Sequence, residues 1–323
     1  MNSIRVHPAV AGLALAGLAF RALARGQQSQ RFAVLTPEQA DILSHMSVVY
    51  LDDGQGAQTK TVRFTGVNVQ VVNGLGGTSG NATYPATTDP TFVRTNGLGN
   101  LIIGYNEVRG FGDKRSGSHS LILGPYENYE GFGNIVSGMS NEVSGYGSMC
   151  LASVNSVSSN QNSAVIAAEN CQLVAGGLSQ NTFSAIIGAW DSQISGYVAY
   201  YDVILGGQGN TLDGAVGCAL IAGDDNLASG SNYASVIGGN GNTMCGADFG
   251  AIAGGHSSYM AQVQGAVIVG GDSNQVLAGG TNATVLGGRG NQATGRESVV
   301  GGGLNRSALG AHDWVAGSLF EDY

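Results

Sequence analysis

From residue 100 onward the chain repeats a short unit, and this repeat limits the folds open to it more than any other feature. The unit's mark is a run of aliphatic residues closed by paired glycines. It occurs as Val203-Ile204-Leu205-Gly206-Gly207, Ser235-Val236-Ile237-Gly238-Gly239 and Gly250-Ala251-Ile252-Ala253-Gly254-Gly255. It continues as Val267-Ile268-Val269-Gly270-Gly271, Val285-Leu286-Gly287-Gly288 and Val299-Val300-Gly301-Gly302. The residue two before the first glycine forms a column: Ile102, Ile122, Val136, Val174, Ile186, Ile204, Leu220, Val236, Ile252, Ile268, Val285, Val299 and Val315. All but Leu220 are β-branched. The step is 16 residues four times running between Ile204 and Ile268; elsewhere it ranges from 12 to 20 and blurs near residues 150–170.

A second column follows a few residues later: Asn106, Asn128, Asn141, Asn155, Asn170, Asn210, Asn226, Asn242, Asn274, Asn291 and Asn305. Two positions beyond each asparagine there is often an apolar residue and then glycine, as in Asn242-Thr243-Met244-Cys245-Gly246. Each unit therefore reads as a short strand, a Gly/Asn turn, a second short strand and another glycine turn. Two strands in so short a period predict an all-β parallel β-solenoid of about 15 short coils over residues 99–317. One coil cannot bury its own apolar side, but stacked coils share a continuous core. At ~4.7 Å per coil the stack is roughly 70 Å long. Glycine supplies positive φ at the corners, and asparagine tolerates that region while its amide can ladder to the next coil.

Neighbouring residues of a strand point to opposite faces. If the first column fills the core, the next residue along lies outside: Ile103, Leu123, Ser137, Ala175, Ile187, Leu205, Ile221, Ile237, Ala253, Val269, Leu286, Val300 and Ala316. An apolar stripe that long exceeds what soluble monomers expose. Self-association along it is expected, in preference to a flanking segment such as residues 61–73 folding over it. The residues expected to carry core and assembly are Ile204, Val236, Ile252, Ile268, Val285 and Val299 inside, with Leu205, Ile237, Val269 and Leu286 outside. The expected turn ladder is Asn210, Asn226, Asn242, Asn274, Asn291 and Asn305.

Composition narrows the function classes. Glycine is 54 of 323 residues but proline only 5, without a Gly-X-Y period, which excludes collagen. With 43% hydrophobic and 11% charged residues, the chain is no disordered polyampholyte. Thirteen Lys and Arg against 22 acids, for a net charge of −9, give nothing that neutralises phosphate, so no nucleic-acid partner is expected.

Residues 1–24 read as a signal peptide: Arg5, the 12-residue apolar run Ala9 to Phe20, then Ala22-Leu23-Ala24 as a cleavage site. A secreted or cell-surface location is expected. No other stretch approaches 18 apolar residues, so no integral span is expected in the mature chain. Residues 25–60 are expected to hold a short helix that oligomerises. Thr36-Pro37-Glu38-Gln39 opens it, and Ile42, Leu43 and Met46 stripe one face within the segment 32–50. Two to three turns are marginal in water alone, so the helix should pack or bundle with copies of itself. Residues 61–98 comprise alternating strands at 61–73 and a long Gly-, Asn- and Thr-rich loop at 74–98; residues 318–323 form a tail.

Chemistry-bearing residues form no constellation. Cys150, Cys171, Cys218 and Cys245 show no CxxC, match no zinc pattern and leave three possible pairings open, with small buried hydrophobes the simpler role. Gly206-Gly207-Gln208-Gly209-Asn210-Thr211 is superficially like a calcium-binding nonapeptide, but the ligand aspartate is replaced by Thr211. The histidines His7, His45, His119, His256 and His312 recur in no motif, and Asp191, Asp202, Asp213, Asp248 and Asp272 share no register. No cofactor, metal or catalytic residue is therefore expected. Tyr197, Tyr200, Tyr201, Phe249, Tyr259 and Trp190 cluster between strands, where they could meet sugars, partner proteins or other subunits. Arg109–Gly117 lengthens one coil and is expected to protrude as a solvated bulge.

The repeat resembles the head repeats of trimeric autotransporter adhesins (YadA-like heads), whose unit runs roughly S-V-A-I-G-x-x-A-x-A-x-G. The matching stretches are Ser298 to Gly310 and Thr284 to Gly295, and the likeness covers about residues 99–317. It implies a left-handed parallel β-roll that trimerises about a threefold axis. The unit here is longer and less regular than the family's 14 residues. The chain ends at Phe320-Glu321-Asp322-Tyr323 where the family carries a membrane barrel, so a surface attachment that is different or absent is expected. The combined expectation is an exported, non-enzymatic, homotrimeric solenoid that forms or decorates a fibre and could join end to end. The alternative is an adhesin or phage-type fibre whose turn loops bind a surface glycan or protein.

Overall fold

The computed structural model describes residues 35–317, apart from 90, 159–160, 175–182 and 197–198. The expected signal peptide, the tail 318–323, Ala175 and Tyr197 lie outside the described residues. The chain divides into two compact units, Met1–Val69 and Gln70–Tyr323.

In the first unit, helix α1 spans Pro37–Ser44. Its N-cap is Thr36, whose Oγ1 accepts from the Gln39 amide while Gln39 Oε1 accepts from the Thr36 amide, a reciprocal cap over a proline at the first turn. The helix is two turns long, and Met46, expected on its stripe, instead opens strand β1 (Met46–Asp52). β1 pairs antiparallel with β2 (Gln58–Phe64), Met46 opposite Phe64 and Asp52 opposite Gln58. Asp52 and Asp53 turn the hairpin by accepting from the amides of Gly54, Gln55 and Ala57. Residues 65–73, expected as strand, carry no strand beyond Phe64. Neither the helix nor the hairpin buries a residue: Ile42, Leu43, Val48, Tyr50, Val62 and Phe64 are all exposed.

The second unit is a parallel β-solenoid of about 13 coils, preceded by the irregular loop segment 70–98. Each coil gives one strand to a 14-stranded sheet and one to a 12-stranded sheet, and both sheets are ordered by sequence without crossing. Successive strands pair in register, Val236 with Ile252 and Ile252 with Ile268. In a three-residue strand only the middle side chain faces in, so one aliphatic residue per strand is enough to continue the core. The inner ladder of the long sheet is Ile122, Val136, Cys150, Val165, Ile186, Ile204, Leu220, Val236, Ile252, Ile268, Val285 and Val300, all essentially buried. Leu173, Ile194, Leu212, Met244, Met260 and Val276 face it from the other sheet. Burying each large aliphatic side chain contributes about 1.5–3 kcal/mol.

The structure corrects the register in two places, and at the first strand it leaves the expected residue partly exposed. Val300, not Val299, is the inner residue: Val300 pairs with Val285 and is 0% exposed, whereas Val299 is partly exposed. Val174 is not in the long sheet; Leu173 fills the other ladder there, and Cys150 and Val165 occupy the blurred coils. Ile102 sits in the first strand and remains 38% exposed.

Candidate functional site

One corner of the coil is held by the asparagine ladder. Asn210, Asn226, Asn242, Asn274 and Asn291 are buried. Each makes the same pair of links. Asn226 Oδ1 accepts from the Asn242 amide at 3.0 Å, and Asn242 Oδ1 accepts from the Ser258 amide at 3.0 Å. Asn242 Nδ2 donates to the Gly255 carbonyl, 3.1 Å away in the next coil. A single buried side chain thus satisfies one donor and one acceptor that the turn would otherwise leave unpaired. The preceding glycine is required: at Gly239 φ is +82°, and a Cβ would lie 2.4 Å from both Asn242 Nδ2 and the Gly255 carbonyl. Asn305, expected in this ladder, is exposed one residue earlier at φ 52°, and Arg306 takes the ladder position, donating its amide to Asn291 Oδ1 at 2.8 Å. Asn155 and Asn170 are displaced in the same way, with Ser156 and Cys171 in the ladder.

The opposite corner carries a second ladder that residue types did not reveal: Ser120, Asn134, Ser148, Ser163, Ser184, Asp202 and Cys218. Each side chain accepts the amide of the next, as in Ser148 to Asn134 Oδ1 at 2.9 Å and Cys218 to Asp202 Oδ1 at 2.8 Å. Two ladder positions hold carboxyls. Asp202 is 0% exposed, its Oδ2 has no partner, and burial pushes its pKa up to about 6. Glu127, at the start of the asparagine ladder, accepts the Asn141 amide at 2.8 Å; its Oε1 is unpartnered and burial pushes its pKa up to about 7.

All four cysteines are free thiols. Cys150, Cys171 and Cys218 are buried and Cys245 is partly exposed. Burial pushes the Cys150 thiol up to about 12 and the Cys218 thiol up to about 11, so these three act as core residues.

Outside, the long sheet exposes the expected stripe. Ile187, Leu205, Ile221 and Ile237 follow in register one coil apart, and after Ala253 come Val269 and Leu286; these six are each more than a third exposed. Val300, expected to extend the stripe, is buried, and Gly301 takes its place outside. The stripe is flanked at one corner by stacked aromatic rings, Phe183 on Tyr201 and Tyr233 on Phe249.

The Arg109–Gly117 segment does not stand free. Arg109 donates to the carbonyls of Tyr126 and Asn141, Arg115 to those of Asn106 and Glu107, and Lys114 Nζ lies 2.8 Å from Glu142 Oε1. Only its tip projects, with Phe111 93% exposed. Glu142 also accepts from Asn128, placing a lysine, a carboxylate and an asparagine together. Their hydrogen bond and charges raise the Lys114 pKa, while Lys114 and Asn128 hold Glu142 below its ordinary value against the cost of burial. That is an ion pair, not an amine readied to attack an amide.

On another exposed corner His256 Nδ1 lies 3.0 Å from Asp272 Oδ1, and Ser257 Oγ lies 3.3 Å from His256 Nε2. Asp272 is held below its ordinary value by His256 first, then by Ser273 and by Arg289, whose Nε is 3.3 Å from Oδ2. Its charge is therefore divided among three partners in open solvent, which suits an ion-pair ladder better than the desolvated chain a nucleophile needs. Among the described residues no group of His, Cys, Asp and Glu could hold a metal ion, and no helix is long and apolar enough to cross a membrane. No protein-family model matches this chain, and no curated protein matches it either.

Proposed function

We propose that this protein is an exported, non-enzymatic structural protein whose solenoid assembles into a homotrimer and builds or decorates an extracellular fibre. The observation that carries the reading is the exposed aliphatic stripe, repeated in register from Ile187 to Leu286. Closure about an axis parallel to the solenoid sets each coil against the same coil of its neighbours, so every Ile237 faces an equivalent apolar level. Three copies is the number implied by the resemblance to adhesin heads. The first unit supports the reading from its own side, because a two-turn helix and a two-stranded hairpin with exposed apolar residues are marginal unless they pack on something. The apolar run Ala9 to Phe20 followed by Ala22-Leu23-Ala24, read as an export signal, supports the extracellular location.

A second reading, a fibre that recognises a surface glycan or protein, draws on the exposed aromatic rings beside the stripe. Light scattering and negative-stain electron microscopy on protein lacking residues 1–24 test the assembly. Particles of three chains are expected, and a double variant Ile237→Lys/Val269→Lys should disperse them to single folded chains. A compact monomer of the unsubstituted protein at micromolar concentration refutes the trimer.

A further inference from the structure

The residue just before the serine-rich ladder takes a left-handed conformation in coil after coil. Phe183, Tyr201, Gly217, Tyr233, Phe249 and Gly265 have φ of 58°, 61°, 67°, 54°, 55° and 69°. Glycine accepts this backbone freely, whereas a bulky side chain is disfavoured there. The four aromatic residues nevertheless hold it while more than half exposed, so core burial does not compensate them. The backbone is that of the repeat, shared by His119, Asn162, Asn282, Glu297 and His312, so it is the choice of four exposed rings among these positions that points to a binding role.

Their arrangement leaves a gap. Phe183 and Tyr201 stack at 5.6 Å and 5°, and Tyr233 and Phe249 at 5.4 Å and 13°, each close to one coil spacing. Between the pairs stands Gly217. A Cβ there would lie 2.9 Å from Tyr233 Cδ1, so the Tyr233 ring reaches back over the Gly217 coil. Tyr201 stands one coil before Gly217 and is stacked on Phe183 on its other side. Among the described residues of this column, no ring stands between Tyr201 and Tyr233. The facing surfaces of Tyr201 and Tyr233 are two coils apart, about 10 Å, and a ring inserted midway would lie about 5 Å from each, within stacking range.

We propose that this slot binds the pyranose ring of a neutral glycan. It deepens the surface-binding reading and does not depend on the trimer. A second copy of the same ladder cannot fill the slot, because its rings come in pairs two coils tall and the gap is one coil tall. The charge of the region excludes anionic ligands: from Ser116 to Gly288 the chain has no lysine or arginine, while Asp213 and Asp248 close strands of the neighbouring sheet. A sugar ring offers C–H bonds to both tyrosine faces and hydroxyls to the rim. Asn232, the residue before Tyr233, donates its Nδ2 to Asp248 Oδ1 at 2.8 Å. Gly265 repeats the gap beyond Phe249, three coils further on and roughly 15 Å away, which favours an oligomer over a single small cation.

The test titrates the protein lacking residues 1–24 with hexamers of glucose, mannose, galactose and N-acetylglucosamine, and with hexagalacturonate, by calorimetry and saturation-transfer NMR. One of the neutral hexamers is expected to bind in the millimolar range or tighter, and hexagalacturonate not to bind. Tyr201→Ala and Tyr233→Ala should each weaken binding about three- to tenfold, the worth of one lost stacking face. Gly217→Phe, a ring at a backbone angle its neighbours already tolerate, should fill the slot and abolish binding, while Phe183→Ala, outside it, should change binding less than about twofold. Circular dichroism confirms that each variant is folded. The proposal is overturned if no neutral hexamer binds, if hexagalacturonate binds as well, if Gly217→Phe binds like the unsubstituted protein, or if Phe183→Ala weakens binding as much as Tyr201→Ala. Light scattering on the same samples separates the two readings, since a monomer that still binds the hexamer removes the trimer and keeps the site.

Discussion

Replacing Asp202 by asparagine should stabilise this protein at neutral pH, although the residue is buried and hydrogen-bonded. The carboxyl accepts the Cys218 amide at 2.8 Å through Oδ1, but Oδ2 is buried with no partner, and burial raises the group from 3.8 to about 6. Because the folded state holds the proton more tightly than the unfolded chain, folding is favoured below pH 3.8. Stability then falls as pH rises toward 6, by about 3 kcal/mol in all. Asparagine keeps an acceptor for Cys218 and carries no charge. The ladder already accommodates it four coils earlier: Asn134 is buried at the same position, accepting from the Ser148 amide and donating to the carbonyls of Glu130 and Gly145.

At pH 7.5 Asp202→Asn should therefore raise the stability by about 2–3 kcal/mol, or the melting temperature by roughly 4–10 °C. At pH 4 the two proteins should melt within a few degrees of each other. Thermal and urea unfolding at both pH values read this directly. The reasoning is refuted if the variant is less stable than the parent at pH 7.5. It is also refuted if the difference between them is the same at pH 4, since only a charge that titrates between 3.8 and about 6 produces the convergence.

Three further outcomes are expected. Val300→Ala should cost about 1.5–3 kcal/mol in urea unfolding and Val299→Ala less than about 1, a contrast that reverses if the register of the last coils is the one aligned on glycines. Asn242→Ala strands the Ser258 amide and the Gly255 carbonyl and should cost about 2–4 kcal/mol, with Asn242→Ser costing less because a hydroxyl still accepts. In the native state a maleimide should modify Cys245 alone, and after unfolding all four thiols, as read by mass spectrometry.

The solenoid was legible because its period is carried by one residue type per level: β-branched residues in the core, glycine at the corner, asparagine in the turn. Where two neighbouring positions favour the same residue, the pattern lost its phase. The exposed left-handed position and the buried ladder position beside it both suit asparagine, so Asn155, Asn170 and Asn305 were assigned one residue too far in. Three glycines at 301–303 shifted the last coils likewise, and a one-residue slip sends every side chain to the other face. The strand Met46–Asp52 was hidden because Met46 continues the helical spacing of Ile42 and Leu43. The second ladder left no trace in residue type, since serine, asparagine, aspartate and cysteine share only a short side chain that accepts a hydrogen bond. The aromatic slot depends on φ and on a missing side chain at Gly217, neither of which a list of exposed aromatics contains.

The two corner ladders are not equivalent, and the difference decides where the solenoid responds to pH. The asparagine ladder continues to the Arg306 amide. The serine-rich ladder ends where Ala234 donates its amide to Cys218 Sγ at 3.4 Å, and beyond it Gly250, Ala266 and Ala283 offer no side-chain acceptor. At that position these three coils therefore rely on backbone pairing and packing, which do not titrate. Both raised carboxyls, Glu127 and Asp202, lie before that point. Coils in a solenoid couple chiefly to their neighbours, so a buried charge weakens the levels beside it more than distant ones. Amide exchange compared at pH 5 and pH 7.5, after correction for intrinsic rates, should show protection lost at Asn141 and Cys218, with Asn242 and Asn291 nearly unchanged. A uniform change along the stack would mean instead that the coils open as one cooperative body, and that the carboxyls act on the whole solenoid.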